Sequence, residues 1–359
     1  MNSTLTRTTV AGVILIAMAG AVPLRAQLAR APQGSAAGLQ AIPVRGNIYL
    51  IGGAGSNIVV SAGPDGVFLV DTGLAQNADR VLAAVKDVQD RLQAALPAPS
   101  RAGAETRFAT NLEPFYRTLA PPKPIRYIAN TSALPEHTGG NEKLSIAGKT
   151  YTGGNVSGDI GGVGEGAAIL AHENVLARLG EAKVPFKGLP TDTYFGNILK
   201  LAYFFNGEGI ELLRMPAAST DGDSVVHFRG SDVFVTGEIF DMTKFPLIDL
   251  AKGGSIQGVL AGLNRLVELA IPEFRSEGGT LFIPAHGRVG DIADMTYYRD
   301  MTTIIRDRVQ DLIKKGRTLD QIKAAKPAED WDQRLGQDKT WTSDMFVEAI
   351  YKGLTSPKK

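Results

Sequence analysis

Along the first half of the chain, apolar residues fall into short runs punctuated by glycine, each too short for a helix. Asn47–Ile51, Ile58–Ser61 and Val67–Val70 are separated by Gly52–Gly55 and by Gly63-Pro64-Asp65-Gly66. Runs of this length between turn residues predict a meander of antiparallel strands. From Ala75 to Leu92 the spacing changes: Val81, Leu82, Val85, Val88 and Leu92 recur every three or four positions, which marks one apolar face of a helix. Ile125–Ile128 then returns to strand character. The second half repeats this grammar, with strands at Lys200–Phe205, Ile210–Leu213, Ser224–Phe228 and Asp232–Thr236, a helix at Ser255–Leu269 and a strand at Thr280–Ile283. A β-rich stretch followed by α/β units, twice over, predicts two packed sheets with helices outside them.

Four segments fall outside that pattern. Residues 1–26 read as a secretory signal: Arg7 gives the positive start, Val10–Val22 is apolar, and Leu24-Arg25-Ala26 offers a cleavage site. The apolar run is shorter than the roughly 20 residues needed to cross a bilayer, so cleavage is expected and no stable membrane anchor remains. Residues 27–43 read as a flexible lead, with the fold starting near Val44. Six prolines between Pro97 and Pro124 predict an insertion spanning about 93–124, with Leu112–Leu119 a short helix. Residues 292–359 are helical and charged, with Met301–Ile313 amphipathic, and read as an extension packed on a domain at 44–291.

Charge and cysteine content narrow the function. The formal net charge is +1, and loss of Arg7 and Arg25 with the leader brings it to −1. A near-neutral exported chain lacks the basic face that nucleic acid or anionic lipid requires, which leaves a small molecule as the expected partner. With no cysteine there is no disulfide, thiolate ligand or Cys nucleophile. A periplasmic or secreted location is expected.

The informative motif is Asn130–Asn141, NTSALPEHTGGN. Its frame resembles the metallo-β-lactamase superfamily, in which Asn-Thr is followed by His-x-His-x-Asp-His and then Gly-Gly-Asn. Four other segments agree in order: Val70-Asp71-Thr72-Gly73, Pro216–Ser224 with Ser219 at the expected His, Thr236-Gly237-Glu238, and Pro284-Ala285-His286-Gly287. The resemblance implies an α/β fold, a four-layer αββα sandwich, with a helical C-terminal extension, over about Val44–Asp291. It also implies that the first metal site is lost, because its three His correspond to Ser132, Leu134 and Ser219. The second site maps to Glu136, His137 and His286, with Glu238 at the bridging position and Asp71 supporting a ligand from behind.

Two His and two carboxylates suit one Zn²⁺, Fe²⁺ or Mn²⁺ with an open position for water. In that reading the protein is a divergent hydrolase with at most one metal, and Glu136 orients the metal-bound water. The alternative needs no metal: the two carboxylates and two protonated His neutralise one another, and a catalytically inactive protein binds a small ligand or a protein partner in the cleft. His172, in a segment read as helical, and His227, on an alternating strand, are expected to be structural. Ser132 or Ser219 as a nucleophile would need a neighbouring base, for which His137 is a candidate. Gly161–Gly166 suggests a loop at the cleft rim, and Tyr194, Phe195, Tyr203 and Phe204 are candidates for a pocket wall or core.

Overall fold

A computed structural model describes residues 38–95, 124–150, 166–201, 204–270 and 278–356. The expected leader, the body of the proline-rich insertion with its Leu112–Leu119 helix, Tyr203 and residues 161–165 of the expected rim loop lie outside the described residues.

Twelve short strands form two sheets among the described residues. The first contains β1 (Ala41–Arg45), β2 (Ile48–Ile51), β3 (Ile58–Gly63), β4 (Gly66–Val70), β5 (Ile125–Ala129), β6 (Ala168–His172) and β7 (Asp192–Tyr194), side by side in sequence order. β1 to β4 pair antiparallel, as a meander with tight turns must, and β4 to β7 pair parallel. The second sheet runs β12 (Leu281–Pro284), β11 (Val233–Gly237), β10 (Ser224–Phe228), β9 (Ile210–Arg214) and β8 (Ile198–Lys200).

Strand alternation sends successive side chains to opposite faces and so creates the layers. On β4, Phe68 and Val70 face the second sheet, while Val67 and Leu69 pack under α1 (Ala78–Ala95). The short helices α2 (Pro135–Thr138) and α3 (Asn141–Ile146) follow β5, and α4 (Glu173–Glu181) follows β6. On β11, Val233 and Val235 join the core between the sheets, and Phe234 faces a second set of outer helices. These are α5 (Ile256–Leu269), α6 (Ile292–Lys314), α7 (Leu319–Ala324), α8 (Glu329–Leu335) and α9 (Ser343–Thr355). The result is helix, sheet, sheet, helix. None of the described helices is long and apolar enough to span a membrane.

Three local expectations are corrected. β1 opens at Ala41, inside the segment expected to be a flexible lead, because residues 41–45 have β2 to pair with. Ala168–His172 is a strand rather than the start of a helix: its residues are buried on both faces in a parallel sheet, where an apolar run carries no period to read. His172 is instead the N-cap of α4, its Nδ1 accepting the Asn174 N–H at 3.2 Å. The second sheet's edge strand is Ile198–Lys200, ahead of the expected Lys200–Phe205.

Candidate functional site

The carboxyl ends of β4, β5, β11 and β12 lie together at one edge of the sandwich, and each opens into a loop that carries an expected site residue. Asp71 follows β4 directly, with a left-handed φ of 62°. Its carboxylate explains why the residue tolerates that conformation: Oδ1 accepts the Thr131 N–H at 2.8 Å, and Oδ2 accepts the Thr131 hydroxyl at 2.6 Å and His137 Nδ1 at 2.8 Å. Asn130 and Asn141 exchange amide hydrogen bonds of 3.0 and 2.8 Å, and Thr72 donates to Asn141 at 2.9 Å. The polar frame of the motif therefore holds two loops together without reference to any ligand. Gly140 completes it, because a Cβ there would sit 2.5 Å from the Thr72 carbonyl oxygen.

His137 begins a chain of charges. It is fully buried, with Nδ1 on Asp71 and Nε2 on Glu238 Oε1 at 2.9 Å. Burial alone would depress its pKa; the Asp71 carboxylate, and then Glu238, outweigh this and hold the imidazole well above the usual histidine range. Glu238 is likewise buried. Desolvation would raise it, but the His137 hydrogen bond and the Lys244 ammonium bring it down to about 2. Lys244 Nζ lies 3.2 Å from Glu238 Oε2 and 3.9 Å from oxygens of both Glu136 and Asp241. Those carboxylates, Glu238 first and then Asp241 and Glu136, keep the ammonium charged against the cost of burial.

His286 forms the outer end of the chain. Its Nδ1 meets Asp241 Oδ2 at 2.6 Å and its Nε2 meets Glu136 Oε2 at 3.3 Å. Burial works against its charge, and the hydrogen bonds to Asp241 and Glu136 raise it to about 9. Asp241 also closes the turn that carries Lys244, its Oδ1 accepting the backbone N–H groups of Thr243 and Lys244 at 2.7 and 3.2 Å. The three buried acids Asp71, Glu238 and Asp241 thus stand against the three bases His137, Lys244 and His286. Two further acids face the cleft, Glu136 with a side chain 28 % exposed and Asp338.

Glu136, Glu238 and His286 each offer a donor atom within 4.8 Å of the others, a spread that could suit one metal ion. His137 does not join them, since Asp71 and Glu238 take both of its nitrogens. The ammonium of Lys244, within 4 Å of two of the three donor residues, is the stronger objection. A divalent ion placed among these donors would lie close to a fixed positive charge, so the donor set as it stands does not fit a metal. The first site fits none. Ser132 and Ser219 are buried hydroxyls, Ser132 Oγ accepting the Leu134 N–H at 3.4 Å and Ser219 Oγ having no partner, while Leu134 has no donor. His137 cannot serve either serine as a base, because Asp71 and Glu238 take both of its nitrogens.

The cleft over these residues has a volume of about 390 Å³. Leu74, Leu134, Leu247 and Trp341 give it apolar walls, and Glu136, Lys244 and His286 its polar floor. Trp341 comes from the C-terminal extension, which was expected only to cover the domain; its indole N–H donates to the Pro246 carbonyl at 3.1 Å. The aromatic residues expected at a pocket lie elsewhere. Tyr194 is buried with its hydroxyl 2.7 Å from Ser224 Oγ, and Phe195 and Phe204 are 78 % and 73 % exposed away from the cleft. His227 stacks on Phe234 at 3.9 Å and stands in the second sheet, off the site loops.

No protein-family model matches the sequence, and no curated protein matches it. Solved structures do. The stereoselective inverting sec-alkylsulfatase Pisa1 from Pseudomonas sp. superposes with a TM-score of 0.55 at 16 % identity, over 88 % of this chain and 50 % of that one. The chain has the metallo-β-lactamase fold. Two metallo-β-lactamases, DIM-1 and the enzyme from Pontibacter korlensis, align with TM-scores of 0.48 and 0.47 at 17 % and 14 % identity, each over 74 % of this chain and over 98 % and 99 % of theirs. In this chain the fold brings Asp71, Glu136, His137, Glu238 and His286 to one edge. Lys244, Asp241 and Trp341 were not anticipated. The first two had a signal, since two charges inside the otherwise apolar Ile239–Ile248 must be solvated by something. Trp341 had none, lying 95 residues along the chain from the Pro246 it packs on.

Proposed function

We propose that this is an exported protein of the metallo-β-lactamase fold that binds a small organic ligand in its cleft and does not use metal-activated water. The observation that carries this is the Lys244 ammonium among the carboxylates of Glu136, Glu238 and Asp241. It supplies from within the chain the positive charge that a metal would bring from outside. Buried charges persist when paired, and here three buried acids stand against three bases. Export is supported by the leader-like sequence of residues 1–26.

The second reading is a hydrolase with one metal on Glu136, Glu238 and His286, favoured by the mutual spacing of their donor atoms. When bound, such an ion would lower the pKa of a water and polarise a carbonyl or ester oxygen. Metal content decides between the two. Protein recovered from its native compartment is expected to carry less than about a tenth of an equivalent of transition metal, unchanged in Glu238→Ala and His286→Ala, since true ligands lose affinity on removal. Near-stoichiometric metal that disappears in both variants would overturn the proposal.

A further inference from the structure

The polar floor of the cleft is asymmetric. Asp241 and Glu238 hold His286 and Lys244 from the buried side, at 2.6 and 3.2 Å, while Glu136 touches the same two bases from the open side at 3.3 and 3.9 Å. An ammonium carries three N–H groups. Lys244 has one carboxylate oxygen within 3.5 Å, and those of Glu136 and Asp241 lie beyond hydrogen-bond reach. His286, with acceptors on both nitrogens, presents Nε2–H to the cleft through a long contact. Two donors at the base of an open cleft are thus only loosely answered by Glu136, an acid outside the three buried pairs.

We infer that the cleft binds small monocarboxylates with an apolar body, the ligand carboxylate taking the place that Glu136 now holds between Lys244 Nζ and His286 Nε2. This rests on the metal-free reading above. An arriving carboxylate takes over from Glu136 the negative charge that faces these two bases. The apolar tail then lies against Leu74, Leu247 and Trp341. Glu136 is a competitor in this arrangement: it keeps the donors occupied in the absence of ligand and moves toward solvent when one binds. Its exposure at the cleft mouth allows the movement without unpacking the core.

The test is isothermal titration of the full chain, stripped with chelator, with two probes of equal length and opposite charge, hexanoate and hexylamine. Glu136→Ala is the informative variant, because the side chain is partly exposed and its loss leaves the buried pairs intact. Hexanoate is expected to bind the parent protein weakly and Glu136→Ala about tenfold more tightly, the ratio expected from losing a competing contact worth about 1.4 kcal/mol. Lys244→Met, assayed at a temperature where circular dichroism shows it folded, is expected to lose hexanoate binding. Preference for hexylamine, or equal hexanoate affinity in parent and Glu136→Ala, would overturn the inference. Should hexanoate bind only after zinc is added, the metal-free reading itself fails. If metal-free protein binds neither probe, this inference alone fails.

Discussion

Replacing Lys244 with methionine is expected to lower the melting temperature by roughly 5–15 °C and, on the metal-free reading proposed above, to create a zinc site that the parent lacks. The side chain is 11 % exposed, and its ammonium lies 3.2 Å from Glu238 Oε2 and within 4 Å of Glu136 and Asp241. Methionine keeps much of the length and removes the charge, leaving carboxylates to repel one another in a poorly solvated place. Removing one partner of a buried charge pair costs about 3–5 kcal/mol, and in a domain of this size each kcal/mol moves the midpoint by about 2–4 °C at most. The second half of the prediction separates the ammonium's role from ordinary packing. With Lys244 gone, Glu136, Glu238 and His286 keep donor atoms within 4.8 Å of one another, and three such ligands with water as the fourth make an acceptable zinc site. Thermal melts with added zinc or chelator, together with atomic emission on the dialysed protein, read both effects. Zinc is expected to restore most of the lost stability in Lys244→Met and to leave the parent unchanged. A variant as stable as the parent and still free of zinc would show that Lys244 does not stand in for an ion.

Asp71→Asn is expected to be about as damaging, again on the order of 3–5 kcal/mol, with a dependence on pH that identifies the cause. Asp71 answers three donors, the N–H and hydroxyl of Thr131 and His137 Nδ1. An asparagine offers a single acceptor oxygen and turns an NH₂ group toward at least one of those donors. It also removes the charge that, with Glu238, holds buried His137 protonated. The linkage sign follows from the direction of each shift. His137 and His286 are raised in the folded state, so their contributions are complete below the unfolded value near 6.5 and fade as pH rises through the folded values, about 9 for His286. Glu238 is lowered to about 2, so its contribution is complete above the unfolded value near 4.5 and fades as pH falls through about 2. The metal-free parent should be most stable between those limits and weaken on the alkaline side. The gap between parent and Asp71→Asn should be widest on the acid side of neutrality and narrow as His137 loses its proton in the parent. Urea denaturation across that range checks this, and a gap constant at every pH would mean that His137 is not held charged.

The layers of the fold were legible because Val67–Val70, Val225–Phe228 and Val233–Val235 alternate between two buried faces, and because glycine-rich turns separate them. β6 was not, since Ala168–His172 runs straight into the helix at Glu173 with no glycine or proline between them, and the joined segment has helical spacing. Within the site, Asp71, Glu136, His137, Glu238 and His286 could be nominated from the motif frame, and the structure gathers all five at one edge of the sandwich. What spacing could not convey was direction. His137 turns both nitrogens inward to Asp71 and Glu238, so it supports the loop and cannot join a ligand group. Lys244 escaped notice because no metal-site pattern has a place for a lysine; its meaning depends on the Asp241 turn, which points a cation back at Glu238 earlier in its own loop and at Glu136 on another. The exposed Phe195 shows the opposite error, where residue type suggested a pocket and packing put the side chain outside, while Phe204 lines a separate hollow with Ile210 and Arg229.

The hydrogen bond from the Trp341 indole to the Pro246 carbonyl carries a practical warning for anyone cutting the gene into fragments. A boundary after Asp291 preserves all twelve described strands together with Asp71, Glu136, His137, Glu238, Asp241, Lys244 and His286, and by strand count it would pass for an intact domain. Such a fragment would lack one wall of its cleft and would expose the side chains of α5 and the second sheet that α6 and α9 cover. Ligand screens or affinity measurements on it would describe a different, wider and stickier surface, so residues 292–359 belong in any protein used to ask what this cleft binds.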